Sequence, residues 1–162
     1  MEPPDRFHLQ AAQGWLELGN RHEAIEELKR ISAANRHHPE VLEIRWHIDA
    51  LARNWDACLD AAEQSVKLFP DRPEAWIHRS FALHEMKRTQ EAYDQLLPVA
   101  DRFHQVPTIP YNLACYCAQL GRLEESASWL KQAAAIDARF VKQAAPVDPD
   151  LKPLWDSIAD SL

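Results

Sequence analysis

With 162 residues, 18 basic and 25 acidic side chains and a formal charge of −7, the chain suits one globular unit or a short repeat array. It lacks the basic excess that a phosphate backbone or an anionic membrane surface would require. A hydrophobic content of 46% with only 3 glycines excludes a disordered or fibrous chain. The opening MEPPDRFHLQ has no basic stretch followed by an apolar run, and no apolar stretch approaches bilayer length. No nucleic-acid or membrane partner is therefore expected, and a cytoplasmic location is.

From the N-terminus onward, the first element pair surrounds Gly19 inside LELGNRHEAIEEL, where glycine suits the end of a helix in a left-handed conformation. Pro39 opens the second pair, at a position where a missing backbone donor does no harm. Arg53 stands in that pair's turn where the first has glycine, so this turn must close without glycine's help. Pro73 opens the third pair, which has Lys87 in the same place. Pro107 opens the fourth, YNLACYCAQLGRLEESASWLKQAAAID, where apolar and small residues recur every three or four positions on both sides of Gly121. Beyond Ala138 the pattern changes. Pro146 and Pro149 punctuate a linker, and DLKPLWDSIADSL places Leu151, Leu154, Trp155, Ile158 and Leu162 on one helical face.

Three registers share one period of 34 residues. The prolines 39, 73 and 107 form the first, and the small residues Ala24, Cys58, Ala92 and Ser126 the second. The third is Leu18, Ala52, Met86 and Leu120. Such a period indicates repeated helix–turn–helix units. Other chemistries are thin. Cys58, Cys115 and Cys117 are odd in number and have no framework spacing. The eight histidines include the pair His37–His38, but no HExxH accompanies them. There is no phosphate loop, serine elbow or spaced acid pair. Neither a metal, a cofactor nor catalysis is expected.

With these residues in register, the sequence resembles the tetratricopeptide repeat family, in its small bacterial form, over residues 5 to about 140. The small slot holds Ala12, Ser80 and Ala114, and a large-residue slot holds Trp76. The turn slot holds Gly19 and Gly121, and Ala24 and Ala92 fill the alanine slot. Leu28, Leu96 and Leu130 fill the apolar slot, and Pro70 the late proline. Trp46 departs from the pattern in a small slot, Asp49 in an apolar one, and Arg45 and Arg79 where aliphatics are commoner. Trp15, like Trp76, occupies a core slot. The resemblance implies an all-α superhelix, a solenoid of antiparallel helix pairs. Its repeats would be 5–38, 39–72, 73–106 and 107–140, followed by a C-terminal capping segment, 141–162.

The family's groove slots fall on the first helix of each pair. By resemblance the peptide-binding residues here are Leu9, Gln13, Glu40, Glu43, His47, Glu74, Ile77, Phe81, His84, Tyr111 and Cys115. Arg6, Leu16, Glu17 and Gln119 occupy further such slots, and Phe81 and Tyr111 are the expected central anchors. Glu40, Glu43, Glu74 and Glu85 beside apolar anchors imply a protein or peptide partner combining basic and apolar residues. One family subtype clamps carboxylate tails with lysine, arginine and asparagine. These slots offer mostly Leu, Gln, Glu and His, so acidic tails are not expected. His47 and His84 would make binding pH-sensitive near neutrality. The alternative is a self-associating structural module, a homo-oligomer formed through a convex or terminal patch.

Overall fold

A computed structural model describes residues 1–156 of the chain, and all of its regular structure there is helical. Among these residues the α-helices are, in order, α1 Asp5–Glu17, α2 Arg21–Arg30, α3 Pro39–Leu51, α4 Trp55–Leu68, α5 Pro73–Glu85, α6 Thr89–Leu96, α7 Thr108–Gln119, α8 Leu123–Ile136 and α9 Ala138–Ala144. Two compact units are present, Met1–His78 and Arg79–Leu162. Among the described residues, no helix is long and apolar enough to cross a membrane.

The four inter-helix turns have one construction. In each, the residue after the helix cap has positive φ: Gly19 (74°), Arg53 (55°), Lys87 (64°) and Gly121 (77°). Its N–H donates to the carbonyl three residues back, as in Gly19 to Leu16 (2.9 Å) and Lys87 to His84 (2.9 Å). The next N–H reaches five back, as in Asn20 to Trp15 (2.8 Å) and Arg88 to Leu83 (2.9 Å). This double closure satisfies helix-end carbonyls and needs a left-handed residue. Arg53 and Lys87 therefore close their turns as the glycines do, and bear the cost of a Cβ in that conformation. Lys87→Gly is expected to raise stability by about 0.5–1 kcal/mol in urea denaturation. A loss of stability would mean the exposed lysine side chain contributes more than the backbone strain takes away.

Pro39 and Pro73 are the first residues of α3 and α5, and Pro107 caps α7. Proline also stops one helix. Helix α6 ends at Leu96, because Pro98 has no N–H to continue the ladder, and a 3-10 turn, Leu97–Val99, follows. In the unit Met1–His78 the core gathers Leu9, Ala12, Ala24, Ile31, Val41, Ile44 and Ile48. The start of α1 is tied down by Asp5, which accepts the Ser32 N–H (2.9 Å), the Ser32 hydroxyl and the Asn35 amide (2.7 Å). The Asn35 and Ser32 hydrogen bonds hold its carboxyl down at about 2.

The column Ala24, Cys58, Ala92, Ser126 is completely buried. Cys58 Sγ lies 3.5 Å from the Trp46 carbonyl, and Ser126 Oγ donates to the Ala114 carbonyl at 2.6 Å. The second helix thus rests on the backbone of the first at the small slots, within each unit. Trp46 fills its small slot as a buried residue. It stacks on His78 with ring centroids 4.0 Å apart and planes 6° from parallel. Trp15, expected in the core, is 37% exposed. It lies on α1, and among the described residues its side chain is only partly covered.

After α9 come two 3-10 segments, Ala145–Val147 and Pro149–Leu154. Leu151 and Leu154 are buried, and Trp155 Nε1 donates to the Ala145 carbonyl (3.1 Å). The terminal segment is thus packed through two of its expected apolar residues. Over 149–154 it is a 3-10 helix rather than an α-helix, with Pro153 inside it. Ile158 and Leu162 lie outside the described residues.

Candidate functional site

In the unit Met1–His78, α1 and α3 enclose an open cleft of about 520 Å³. Helical spacing explains its lining. Residues three and four apart share a face, so Arg6, Leu9, Gln13, Leu16 and Glu17 leave α1 together, and Glu40, Glu43 and His47 leave α3 together. Leu9 and Ile44 are buried and form an apolar floor. Arg6, Gln13, Glu17, Glu40 and His47 are exposed along the walls. Arg72 enters from outside the expected slots. It lies 3.5 Å from Glu43 and 3.6 Å from Glu74, so its charge is shared between two acids. Glu40 lies 3.7 Å from the His38 ring, and its side chain is 57% exposed. Ion pairs this exposed contribute little to stability and leave their charges readable by a partner.

Of the groove residues expected here, Leu9, Gln13, Glu40, Glu43 and His47 line this one cleft, and Glu74 and Ile77 follow on α5. Gln10, Ile44 and Arg72 complete the lining and were not expected. Ile44 is adjacent to a family slot. Arg72 precedes Pro73 in the loop, where helical spacing carries no information. A second cleft of about 460 Å³ lies between α2 and α3. It is lined by Ile25, Leu28, Val41, Ile48, Arg45 and Asp49 among others, which puts Arg45 and Asp49 on one face as their spacing requires. Burial pushes the Asp49 carboxyl up, against the opposing pull of Arg45.

In the unit Arg79–Leu162 the expected residues have a different setting. Phe81 is half-buried on α5. His84, Tyr111 and Cys115 are buried, at 6%, 5% and 4% exposure, because the chain's own 148–154 segment lies across them. Tyr111 Oη donates to Asp148 Oδ2 (2.8 Å), and the Cys115 thiol faces the same oxygen at 3.7 Å. His84 Nε2 meets Asp150 Oδ2 at 3.0 Å, and its Nδ1 pairs with Thr89 Oγ1 at 3.0 Å. Gln119 Nε2 donates to the Asp150 carbonyl (2.8 Å). Phe140 packs on the Tyr111 ring, centroids 5.0 Å apart.

Burial and the neighbouring carboxylates push the Cys115 thiol up. Burial and the bond to Asp148 do the same to the Tyr111 phenol. Both hold their protons and act as donors. Donor atoms of Cys115, Asp148 and Asp150 come within 4.8 Å of one another, a spacing a metal ion could bridge. Metal ligation needs a thiolate, which this setting opposes. The two carboxylates already accept bonds from Tyr111 and His84. The cluster is a closed hydrogen-bond set.

No family pattern matches the sequence, and no curated protein is similar to it in sequence. Solved structures do resemble it. The "thermophilic TPR protein" TTC0263 of Thermus thermophilus aligns with a TM-score of 0.76 at 16% identity, over 95% of this chain and 82% of that one. PilF of Pseudomonas aeruginosa aligns at 0.77 and 13% identity, over 96% and 69%. MamA from MSR-1 aligns at 0.68 and 18% identity, over 84% and 78%. At such identities the likeness concerns the fold, and that fold is the all-α tetratricopeptide type expected from the 34-residue period.

Proposed function

Starting from this array of helix pairs, we propose that the chain is a protein-interaction module that acts by binding and without a cofactor. Its α1–α3 cleft holds a partner segment combining basic and apolar residues. One observation carries the reading: eight family groove slots from two repeats converge on one open cleft with an apolar floor. Leu9 and Ile44 offer apolar contact, while Glu17, Glu40 and Glu43 attract lysine or arginine beside it.

The test uses a bead-displayed peptide library with basic-apolar, acidic-apolar and neutral members. The wild type should enrich the basic-apolar class, and Glu40→Lys with Glu43→Lys should weaken its best peptide at least about tenfold. Enrichment of no class, or affinity unmoved by the charge reversal, would remove the cleft from consideration.

Self-association through a terminal patch is the second reading, and one feature favours it. Phe7 and Trp15 on α1 and Leu18 at its C-terminal cap are exposed at 65%, 37% and 77%, on one side of the helix. Apolar surface in contiguous stripes commonly marks an interface. A doubled mass in sedimentation that Phe7→Asp abolishes and the cleft variant does not would give this reading priority.

A further inference from the structure

On the α7 face of the unit Arg79–Leu162, the positions that the family resemblance implies for ligand binding are covered by the chain's own 148–154 segment. We propose that this face is a second recognition surface, specific for an Asp-x-Asp-Leu segment, with 148–154 as its built-in occupant and a partner bearing the same pattern as its other occupant. This goes beyond the α1–α3 cleft: the surface, the ligand chemistry and the residues all differ.

The segment reads DPDLKPL, and each element of the pattern has a counterpart on the face. Asp148 is held by the Tyr111 hydroxyl and the Cys115 thiol, Asp150 by the His84 ring nitrogen, and the Asp150 carbonyl by Gln119. All four face residues present donors, and a donor-only surface fits carboxylate and carbonyl oxygens. Asp148 also accepts the Asp150 N–H (3.0 Å), a local turn that brings both carboxylates to one side. Leu151 is fully buried behind them and Leu154 nearly so. Burying such a leucine contributes about 1.5–3 kcal/mol, so the leucines anchor the segment and the aspartates set its register.

Acidic tails were not expected from the slot chemistry, which lacks lysine and arginine. The face meets these carboxylates without lysine or arginine, and two of its donors, the Tyr111 hydroxyl and the Cys115 thiol, are kept protonated by burial. The occupant is a short segment outside the four repeats. It is a 3-10 helix between Asp148 and Trp155, attached through the Pro146 turn, with Pro149, Lys152 and Pro153 on its exposed side. A tethered ligand competes at high effective concentration, so a free segment of equal chemistry gains access in proportion to the time the tether is open.

The probe is a fluorescent peptide of residues 147–156, VDPDLKPLWD, titrated into the full-length chain and followed by anisotropy. Wild type should bind it weakly. Asp148→Ala with Asp150→Ala, which keeps both leucines, should bind it at least about tenfold more tightly, since the competent fraction rises. A probe with both aspartates changed to asparagine should lose that gain. Equal affinity for wild type and variant, or for the two probes, overturns the proposal. A doubled mass in wild type that the variant loses overturns it in favour of segment exchange between copies.

Hydrogen exchange on the unmodified chain tests the same idea if the variant loses helical signal. The amides of 150–154 should exchange well before those of α7 and α8. Exchange in step with those helices overturns it, for the segment would then be core. Failure here leaves the α1–α3 cleft untouched, because its test reads a different peptide class and different residues.

Discussion

Ala92→Leu should cost the protein at least about 3 kcal/mol, a large fraction of the roughly 5–15 kcal/mol that holds a domain folded. Ala92 is completely buried in the column shared with Ala24, Cys58 and Ser126. Where that column carries a polar atom, the atom contacts the backbone of the preceding helix, as Ser126 Oγ does at the Ala114 carbonyl (2.6 Å). No space remains for three more carbons, and the only relief is to separate helices whose packing is the core. Ala92→Ser, one atom larger, is the control and should cost about 1 kcal/mol or less, since serine is tolerated at 126. Urea denaturation of the two variants decides it. If the leucine variant unfolds at nearly the same urea concentration as wild type, the column is not a contact limit.

The second large effect is a dependence of stability on pH through His78. Its ring is stacked on Trp46 and edge-on to His47 at 5.3 Å. Burial, followed by the nearby His47 and Arg72, pushes its pKa from 6.5 down to about 3. Glu43 and Glu74 share the small cavity beside it, and Arg72 engages both. The unfolded chain therefore takes up this proton near pH 6.5, while the folded chain resists it until about pH 3. The stability from a neutral His78 is complete above pH 6.5 and drains away as pH falls toward 3. Its upper bound between pH 7 and 4 is about 3 kcal/mol. His78→Phe keeps a flat ring against Trp46 and has no proton to bind. Its stability should fall less than that of wild type over this interval, and parallel curves would show that the ring is not shielded as described.

Much of this architecture was readable because the repeat is periodic. Each of the four turn positions takes a left-handed residue, and each of the four small positions is fully buried. The small residues of the second helices are buried where those helices meet the first, as Ser126 does at the Ala114 carbonyl. Five of the eleven groove residues line one cleft for the same reason: helical spacing alone determines which side chains share a face. Arg53 and Lys87 close their turns without glycine, as their place in the sequence required. The geometry of the helix pair imposes the left-handed conformation on residues that resist it.

The amino-acid order thus dictates what is local and periodic: helix pairs, their turns, the small contact column and the faces available for binding. Which of those faces stay open depends on how the whole chain folds. Leu9, Gln13, Glu40 and Glu43 line an open cleft, while Tyr111, Cys115 and His84 lie beneath residues 148–154, more than thirty positions on from Tyr111 and Cys115. That covering comes from a segment outside the repeat. No period relates Asp148 to Tyr111, and only the folded chain, by burying Leu151 and Leu154, brings them together. Trp46 teaches the same lesson: an oversized residue in a small slot looks like an irregularity until His78 is seen lying flat against it.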